Sequence, residues 1–202
     1  MKRIACRLGV SVSSVSLWVR DVELSAEQRA ALRNKMSGAW SANAIAARRR
    51  RRRSQRAGRE LARRRNPLLV AGCMLFWAEG GKSRNTVCIA NSDPALLRLF
   101  VRFLRECYEP PIERIAITCN LFADHVERQN EIEQFWLDNL ELPRACLRPS
   151  IVNVYSKYSQ KKRRSKLPYG TCRLVYNDTA TVQSIYGAIQ EYAGFERPEW
   201  LD

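Results

Sequence analysis

The chain has 202 residues, with 35 lysines and arginines against 20 acidic residues, which gives a formal net charge of +15 at pH 7. Its 46% hydrophobic residues can form a core and exclude a disordered polycation. Its seven scattered cysteines without a C-x-x-C pair argue against a disulfide framework or a zinc site, and no apolar run suggests a signal peptide or a membrane span. We therefore expect a cytoplasmic protein with no membrane partner, no evident small-molecule ligand, and nucleic acid as its partner.

The first twenty residues predict two short helices joined by a tight turn at Gly9. The apolar residues expected to hold the pair together are Ile4, Ala5, Leu8, Val10, Val15 and Trp18. This pattern resembles the helix-turn-helix of bacterial repressors and resolvases. The resemblance implies that the second helix lies in the major groove of DNA, with base edges facing Ser11, Ser13, Ser14, Ser16 and Arg20. An ordinary amphipathic helix pair is the alternative.

A long helix is predicted from Ser25, because Ser25 and Gln28 have the spacing of a capping box. Eleven arginines follow between positions 48 and 65, against Glu60 as the one acid. The DNA-binding candidates among them are the six consecutive residues Arg48, Arg49, Arg50, Arg51, Arg52 and Arg53. Because adjacent guanidinium groups repel, this stretch is expected to be frayed in the free protein, or helical against phosphates. A solvated basic linker is the alternative.

The remaining residues predict an α+β domain with a mainly antiparallel sheet packed by helices. The predicted elements are a buried helix at 68–78, a strand at 86–90, a helix starting at Asp93-Pro94, a strand at 112–122, a helix at 126–140, strands at 147–155 and 171–176, and a helix after Asn177-Asp178. The expected organisation is a helix-turn-helix at 1–24, an arginine-rich helical connector at 25–66, and this domain at 67–202.

The segment GCMLFWAEG, residues 72–80, places Glu79 at the end of an apolar helix. It resembles the LAGLIDADG motif of homing endonucleases and of their non-cleaving relatives among bacterial DNA-binding regulators. The resemblance continues through TVCIANSDPALLRLFVRFL and covers roughly residues 68–192. It implies a LAGLIDADG-like fold in which two motif helices pack together, with Glu79 as a catalytic, Mg²⁺-binding residue if the protein is a nuclease. A structural ion pair of Glu79 with Lys82 or Arg84 is the alternative.

A basic loop separates the last two predicted strands, and tyrosines are interleaved with its charges. Its DNA-binding candidates are Lys157, Lys161, Lys162, Arg163, Arg164 and Lys166. Such side chains bind phosphates, while tyrosine adds stacking contacts. A mobile solvated loop is the alternative.

The sequence as a whole favours a sequence-specific binder of double-stranded DNA that acts as a regulator without catalysis or cofactor, and a second copy of the chain is the expected protein partner. A homodimeric, Mg²⁺-dependent endonuclease is the first alternative. Binding of structured RNA is the second. The helix-turn-helix pattern separates the first two hypotheses from the third, and Glu79 separates the first from the second.

Overall fold

The structure divides the chain into two compact units. The computed structural model describes residues 2–153 and 167–201, and within these ranges it leaves out the side chains of residues 3, 30–41 and 123. One unit is Met1–Ala46 and the other is Ala47–Asp202. The boundary lies inside the long helix predicted from Ser25, so the arginine-rich half of the predicted connector is part of the second unit.

The first unit begins with the predicted pair of short helices. Helix α1 is Lys2–Leu8 and helix α2 is Val12–Trp18. Gly9 joins them with a φ of 65°, a left-handed conformation that glycine adopts without strain. Ala5 and Val15 are buried. The two helices and the turn between them are confirmed.

Three apolar side chains of this pair are exposed, contrary to the prediction that they pack the helices together. Ile4, Leu8 and Trp18 are 46%, 59% and 62% exposed. Each helix has seven residues and is therefore about 10 Å long. Two helices this short share a small contact, and Ala5 and Val15 fill most of it.

Helix α3, Ala26–Arg63, runs without interruption through the six consecutive arginines. The capping box at its start is confirmed: the Gln28 backbone N–H donates to Ser25 Oγ at 3.2 Å, and the Ser25 N–H donates to Gln28 Oε1 at 2.9 Å. The arginine stretch is helical in this structure. The contacts of its residues with the rest of the second unit are described below.

Four described strands of the second unit form one sheet: β1 (Val87–Asn91), β2 (Ile115–Phe122), β3 (Ile151–Asn153) and β4 (Thr171–Tyr176). Their order in the sheet is β1-β4-β2-β3. Strand β4 is antiparallel to both of its neighbours, whereas β3 is parallel to β2. A helical connection from β2 to β3 makes the parallel pairing possible. The predicted α+β class with a mainly antiparallel sheet is confirmed.

The described part of the second unit has four further helices: α4 (Pro67–Glu79), α5 (Pro94–Tyr108), α6 (Gln129–Leu140) and α7 (Thr179–Ala193). Helices α4 and α5 contact β1, and α6 contacts β2. The first residues of the predicted helix at 126–140 are instead part of a 3₁₀ turn, Ala123–Arg128. In the described part of the chain, none of the helices combines the length and the apolar character needed to cross a bilayer.

Side-chain caps fix where three of these helices begin. Asn66 Oδ1 accepts the Leu68 N–H at 2.8 Å before α4, and Asp93 Oδ1 accepts the Ala95 N–H at 2.8 Å before α5. Asp178 Oδ2 accepts the Thr181 N–H at 2.8 Å before α7. Each cap satisfies a backbone donor that has no partner within the helix. The helix starts predicted at Asp93 and Asp178 are confirmed.

Helix α7 lies at the centre of the second unit. Its ten consecutive residues 181–190 are all buried. On one side, the Tyr186 ring packs against the Phe76 ring of α4, with ring centroids 5.9 Å apart. A helix that is buried all round needs a partner on its other side as well. The arginine-rich half of α3 is that partner.

The buried carboxylate of Glu133 on α6 binds side chains of the segment that follows this helix. Glu133 accepts hydrogen bonds from Ser150 Oγ at 2.7 Å and Gln129 Nε2 at 2.8 Å, and Arg144 Nη2 lies 2.9 Å from its other oxygen. Burial raises the pKa of Glu133, but these hydrogen bonds and the Arg144 charge outweigh it, so the pKa is below its ordinary value. A depressed pKa means that the charged carboxylate stabilises the folded state above pH 4.5.

Replacement of Glu133 by Gln is therefore expected to destabilise the protein by about 1.5–3 kcal/mol at pH 7, because a charged acceptor is lost. This stabilisation disappears as the pH falls below 4.5 through the folded pKa, so the two proteins should approach equal stability there. Urea unfolding of both proteins at pH 7 and at a series of pH values below 4.5 measures the difference. A difference of the same size throughout that series would show that the charge of Glu133 has no part in it.

Candidate nucleic-acid interface

The arginine-rich half of α3 packs closely on α7 through two glycines. A Cβ atom at Gly58 would overlap the backbone carbonyl oxygen of Ser184, and a Cβ atom at Gly187 would overlap the carbonyl oxygen of Gln55. Each helix therefore places a glycine where the backbone of the other passes. Ala62, one turn after Gly58, is also buried. The small residues let the two backbones come close enough for side chains to join them.

Three buried glutamines connect the two helices. Gln55 Nε2 donates to Gln183 Oε1 at 2.8 Å, and Gln190 Nε2 donates to Gln55 Oε1 at 3.2 Å. Gln183 Nε2 also donates to the carbonyls of Arg84 and Trp200, both at 2.9 Å. Buried amides stabilise a structure when their donors and acceptors are paired, as they are here. This network holds α3 in one register on α7.

Ion pairs at the edges of the contact add to this network. Arg59 Nη2 lies 2.7 Å from a Glu196 oxygen, and Arg63 Nε lies 2.8 Å from a Glu191 oxygen. The hydrogen bond from Arg63 lowers the pKa of Glu191. Arg51 Nε donates to the Leu201 carbonyl at 2.6 Å. These three arginines are structural, which separates them from the rest of the arginine run.

The arginines on the other side of α3 face solvent. At about 100° per residue, Arg49 and Arg53 lie about 180° and 140° from Gly58 around the helix, and Arg50 lies next to Arg53 on one side of the helix, about 80° from Gly58. All three are exposed, and within the described part of the chain their side chains have no hydrogen bond or ion pair. We call Arg49, Arg50 and Arg53 the outer face. Arg52, also exposed, lies on the flank of the helix between this face and Arg59.

The outer face has the geometry of a phosphate-binding surface. Its arginines are carried by a helix that is fixed on a folded domain, so only their side chains, and not the backbone that carries them, have to be ordered when a ligand binds. Phosphate oxygens are preferred partners of arginine, which can donate two parallel hydrogen bonds to them. The three guanidinium groups are accessible to the phosphates of a nucleic-acid backbone because all three side chains are exposed.

The predicted recognition residues on α2 have two different environments. Ser11 caps the helix: its Oγ accepts the Ser14 N–H at 3.0 Å and lies 2.9 Å from Ser14 Oγ. Ser13, Ser16 and Arg20 are exposed and line one shallow groove. The structure therefore gives Ser11 and Ser14 a capping role, and leaves Ser13, Ser16 and Arg20 available for contact with a ligand.

The open face of the sheet carries little charge. Alternate residues of β1, β2 and β4 point away from the buried side, and among the described strand residues on that face Arg173 is the charged one. Its Nε donates to Cys88 Sγ at 3.2 Å. The basic-loop candidates Lys157, Lys161, Lys162, Arg163, Arg164 and Lys166 lie outside the described residues. Within the described part of the chain, the outer face is the more basic of the two surfaces.

Glu79 lies at the exposed end of α4, where it accepts a hydrogen bond from Asn91 Nδ2 at 3.4 Å. The ammonium group of Lys82 instead caps α4, at 2.8 Å from the Trp77 carbonyl and 2.7 Å from the Gly80 carbonyl. Burial and the charge of Arg197 lower the pKa of Lys82, and the negative charge of Glu79 offsets part of this by raising it. No group of three or more His, Cys, Asp or Glu residues that could hold a metal is found among the residues described.

Comparison with known proteins adds no assignment: no family model, no curated protein and no solved structure matches this chain.

Sequence reasoning identified the arginines but not which of them are structural. The sequence does contain an indication of which side of this helix packs on the domain. Gln55, Gly58 and Ala62 interrupt the arginines at intervals of three and four residues. Those intervals put them on one helical face. A basic helix with such a small, uncharged stripe is expected to pack by that stripe and to expose its arginines elsewhere.

Proposed function

We propose that this protein binds double-stranded DNA, with the outer face of α3 on the phosphate backbone. The observation that carries the proposal is that Arg49, Arg50 and Arg53 are exposed without carboxylate partners on a helix fixed by Gln55 and Gly58. Concentrated, unpaired positive charge on a rigid element is typical of surfaces that neutralise phosphates.

The α1–α2 pair supports base recognition in this proposal. Its turn at Gly9 and its exposed Ser13, Ser16 and Arg20 agree with the resemblance to repressor and resolvase helix-turn-helix segments. Phosphate contacts position a protein on DNA, whereas side chains that reach base edges specify the sequence. We therefore assign specificity to α2 and most of the binding free energy to arginines.

The proposal makes the protein a cytoplasmic DNA-binding regulator rather than a nuclease. The LAGLIDADG resemblance places Glu79 where a metal-binding acid would be. Its hydrogen bond to Asn91 and its position beside the Lys82 ammonium group give a structural explanation for the same carboxylate. DNA binding needs no reaction at this position.

One experiment separates a regulator from a nuclease. The full chain is incubated with a random duplex library, with Mg²⁺ or with EDTA, and retained sequences and new DNA ends are counted together. We expect enriched sequences and no new ends, with the same enrichment for Glu79→Gln. New ends that require Mg²⁺ and vanish in Glu79→Gln would establish an endonuclease instead. Retention of structured RNA in preference to duplex would contradict the choice of DNA.

A further inference from the structure

A cleft in the second unit lies between one flank of α3 and the C-terminal residues 196–201. Its volume is about 390 Å³, which is within the usual range for small-molecule sites. Five arginines line it, together with one carboxylate, Glu196. The arginines are Arg48, Arg52, Arg56, Arg59 and Arg197. The cleft is thus strongly positive as well as concave.

The wall formed by residues 196–201 is held in place by several contacts. The Arg197 backbone N–H donates to Gln190 Oε1 at 2.9 Å, and the Trp200 carbonyl accepts from Gln183 at 2.9 Å. The Trp200 ring stacks on Tyr186, with centroids 4.4 Å apart. The Leu201 carbonyl accepts from Arg51 at 2.6 Å. A wall fixed in this way keeps the cleft open without a ligand, so binding does not have to order it.

The arginines of the cleft are of two kinds. Arg59 is fixed by Glu196, and the Arg197 guanidinium lies over the rings of Phe195 and Trp200, 5.2 Å and 5.4 Å from their centroids. Arg52 and Arg56 are exposed, and in the part of the chain that the structure describes their side chains have no hydrogen bond or ion pair. Of the five arginines, Arg59 and Arg197 are therefore fixed, Arg48 also has a partner, and Arg52 and Arg56 are available to a ligand.

We propose that this cleft binds the oligophosphate group of a nucleoside di- or triphosphate. Several guanidinium groups that face one cavity repel one another, and a multiply charged anion between them relieves that repulsion. Phosphate oxygens match the paired N–H groups of arginine. Pro198 and Leu201, which also line the cleft, offer an apolar surface to the nucleoside. The site is separate from the outer face and does not depend on DNA binding.

Calorimetric titration of the full chain with ATP, sodium tripolyphosphate and adenosine tests this proposal. ATP and tripolyphosphate should bind and adenosine should not, with ATP at least about threefold tighter than tripolyphosphate because of the apolar wall. The double variant Arg52→Gln/Arg56→Gln should weaken ATP binding by at least about tenfold, as expected for lost charged hydrogen bonds. Glu196→Gln should strengthen it by about threefold, since it frees Arg59 and removes a negative charge.

The matched control is Arg49→Gln/Arg53→Gln, which removes the same charge from the same helix outside the cleft. ATP affinity should stay within about threefold for this control. Equal losses for both pairs would show attraction to diffuse charge and overturn the site, as would the absence of ATP binding to the unmodified protein. Equal affinities for ATP and tripolyphosphate would overturn the nucleoside contact. If the cleft pair lost duplex affinity but kept ATP affinity, the phosphates bound there would be those of DNA, and the proposal would be overturned.

Discussion

Replacement of Gly58 or Gly187 by Ala is expected to destabilise the second unit, although the same change usually stabilises a helix by about 0.5–1 kcal/mol. The added methyl group overlaps a backbone carbonyl oxygen of the facing helix, Ser184 for Gly58 and Gln55 for Gly187. Backbone cannot rotate away as a side chain can, so α3 and α7 must separate. We expect a loss of about 3 kcal/mol for each variant, at the upper end of overpacking effects.

Urea unfolding measures that loss, and amide hydrogen exchange locates it. Exchange should accelerate in residues 47–63 first, because the contact with α7 is what protects them. Ala57→Leu is the control, since Ala57 is exposed on the same helix and its replacement should change stability by less than about 0.5 kcal/mol. Stabilisation by Gly58→Ala would mean that α3 does not pack on α7 as described.

Removal of the outer face is expected to have the largest effect on DNA binding. The variant Arg49→Gln/Arg50→Gln/Arg53→Gln loses three phosphate contacts. Counterion release predicts a change in the salt slope of about 0.9 per contact, which corresponds to roughly a hundredfold loss of affinity near 0.15 M salt. Fluorescence anisotropy with a labelled 20-base-pair duplex measures it. Because all three side chains are exposed and unpaired in the described part of the chain, the variant should fold normally.

The control for this variant removes three arginines from other surfaces of the second unit: Arg102, Arg148 and Arg173. Arg173 is exposed on the open face of the sheet. If the outer face is the binding surface, duplex affinity should stay within about threefold for this control. A greater loss for the control than for the outer-face variant would move the interface to the sheet.

Local sequence signals predicted most elements of the second unit. Asp93-Pro94 and Asn177-Asp178 mark helix starts because a side-chain acceptor before the first turn is a short-range preference. The alternation of apolar residues in 112–122 predicted β2 for a similar reason, since one face of the strand is buried, although the first three of these residues form a 3₁₀ turn before it. Helix caps and strand alternation depend only on residues close together in the sequence, so they can be predicted from it.

The sequence patterns did not predict which strands and helices lie next to each other when they are far apart in the chain. The position of β4 between β1 and β2 depends on residues more than fifty positions apart, such as the pairing of Cys119 with Cys172. The exposure of Trp18 depends on how little surface two seven-residue helices share. The packing of α3 on α7 depends on a glycine in each helix, and nothing in the sequence indicates which helix each glycine packs against. The candidate interface therefore became specific only when the structure separated exposed arginines from structural ones.

The measurement that tests the central claim most directly is the salt dependence of duplex binding by the unmodified protein and by the outer-face variant. The account predicts that log K falls linearly with log salt for both proteins and that the variant's slope is shallower by about 2 to 3, one contact for each arginine removed. Identical slopes for the two proteins would contradict the claim that Arg49, Arg50 and Arg53 contact the phosphate backbone.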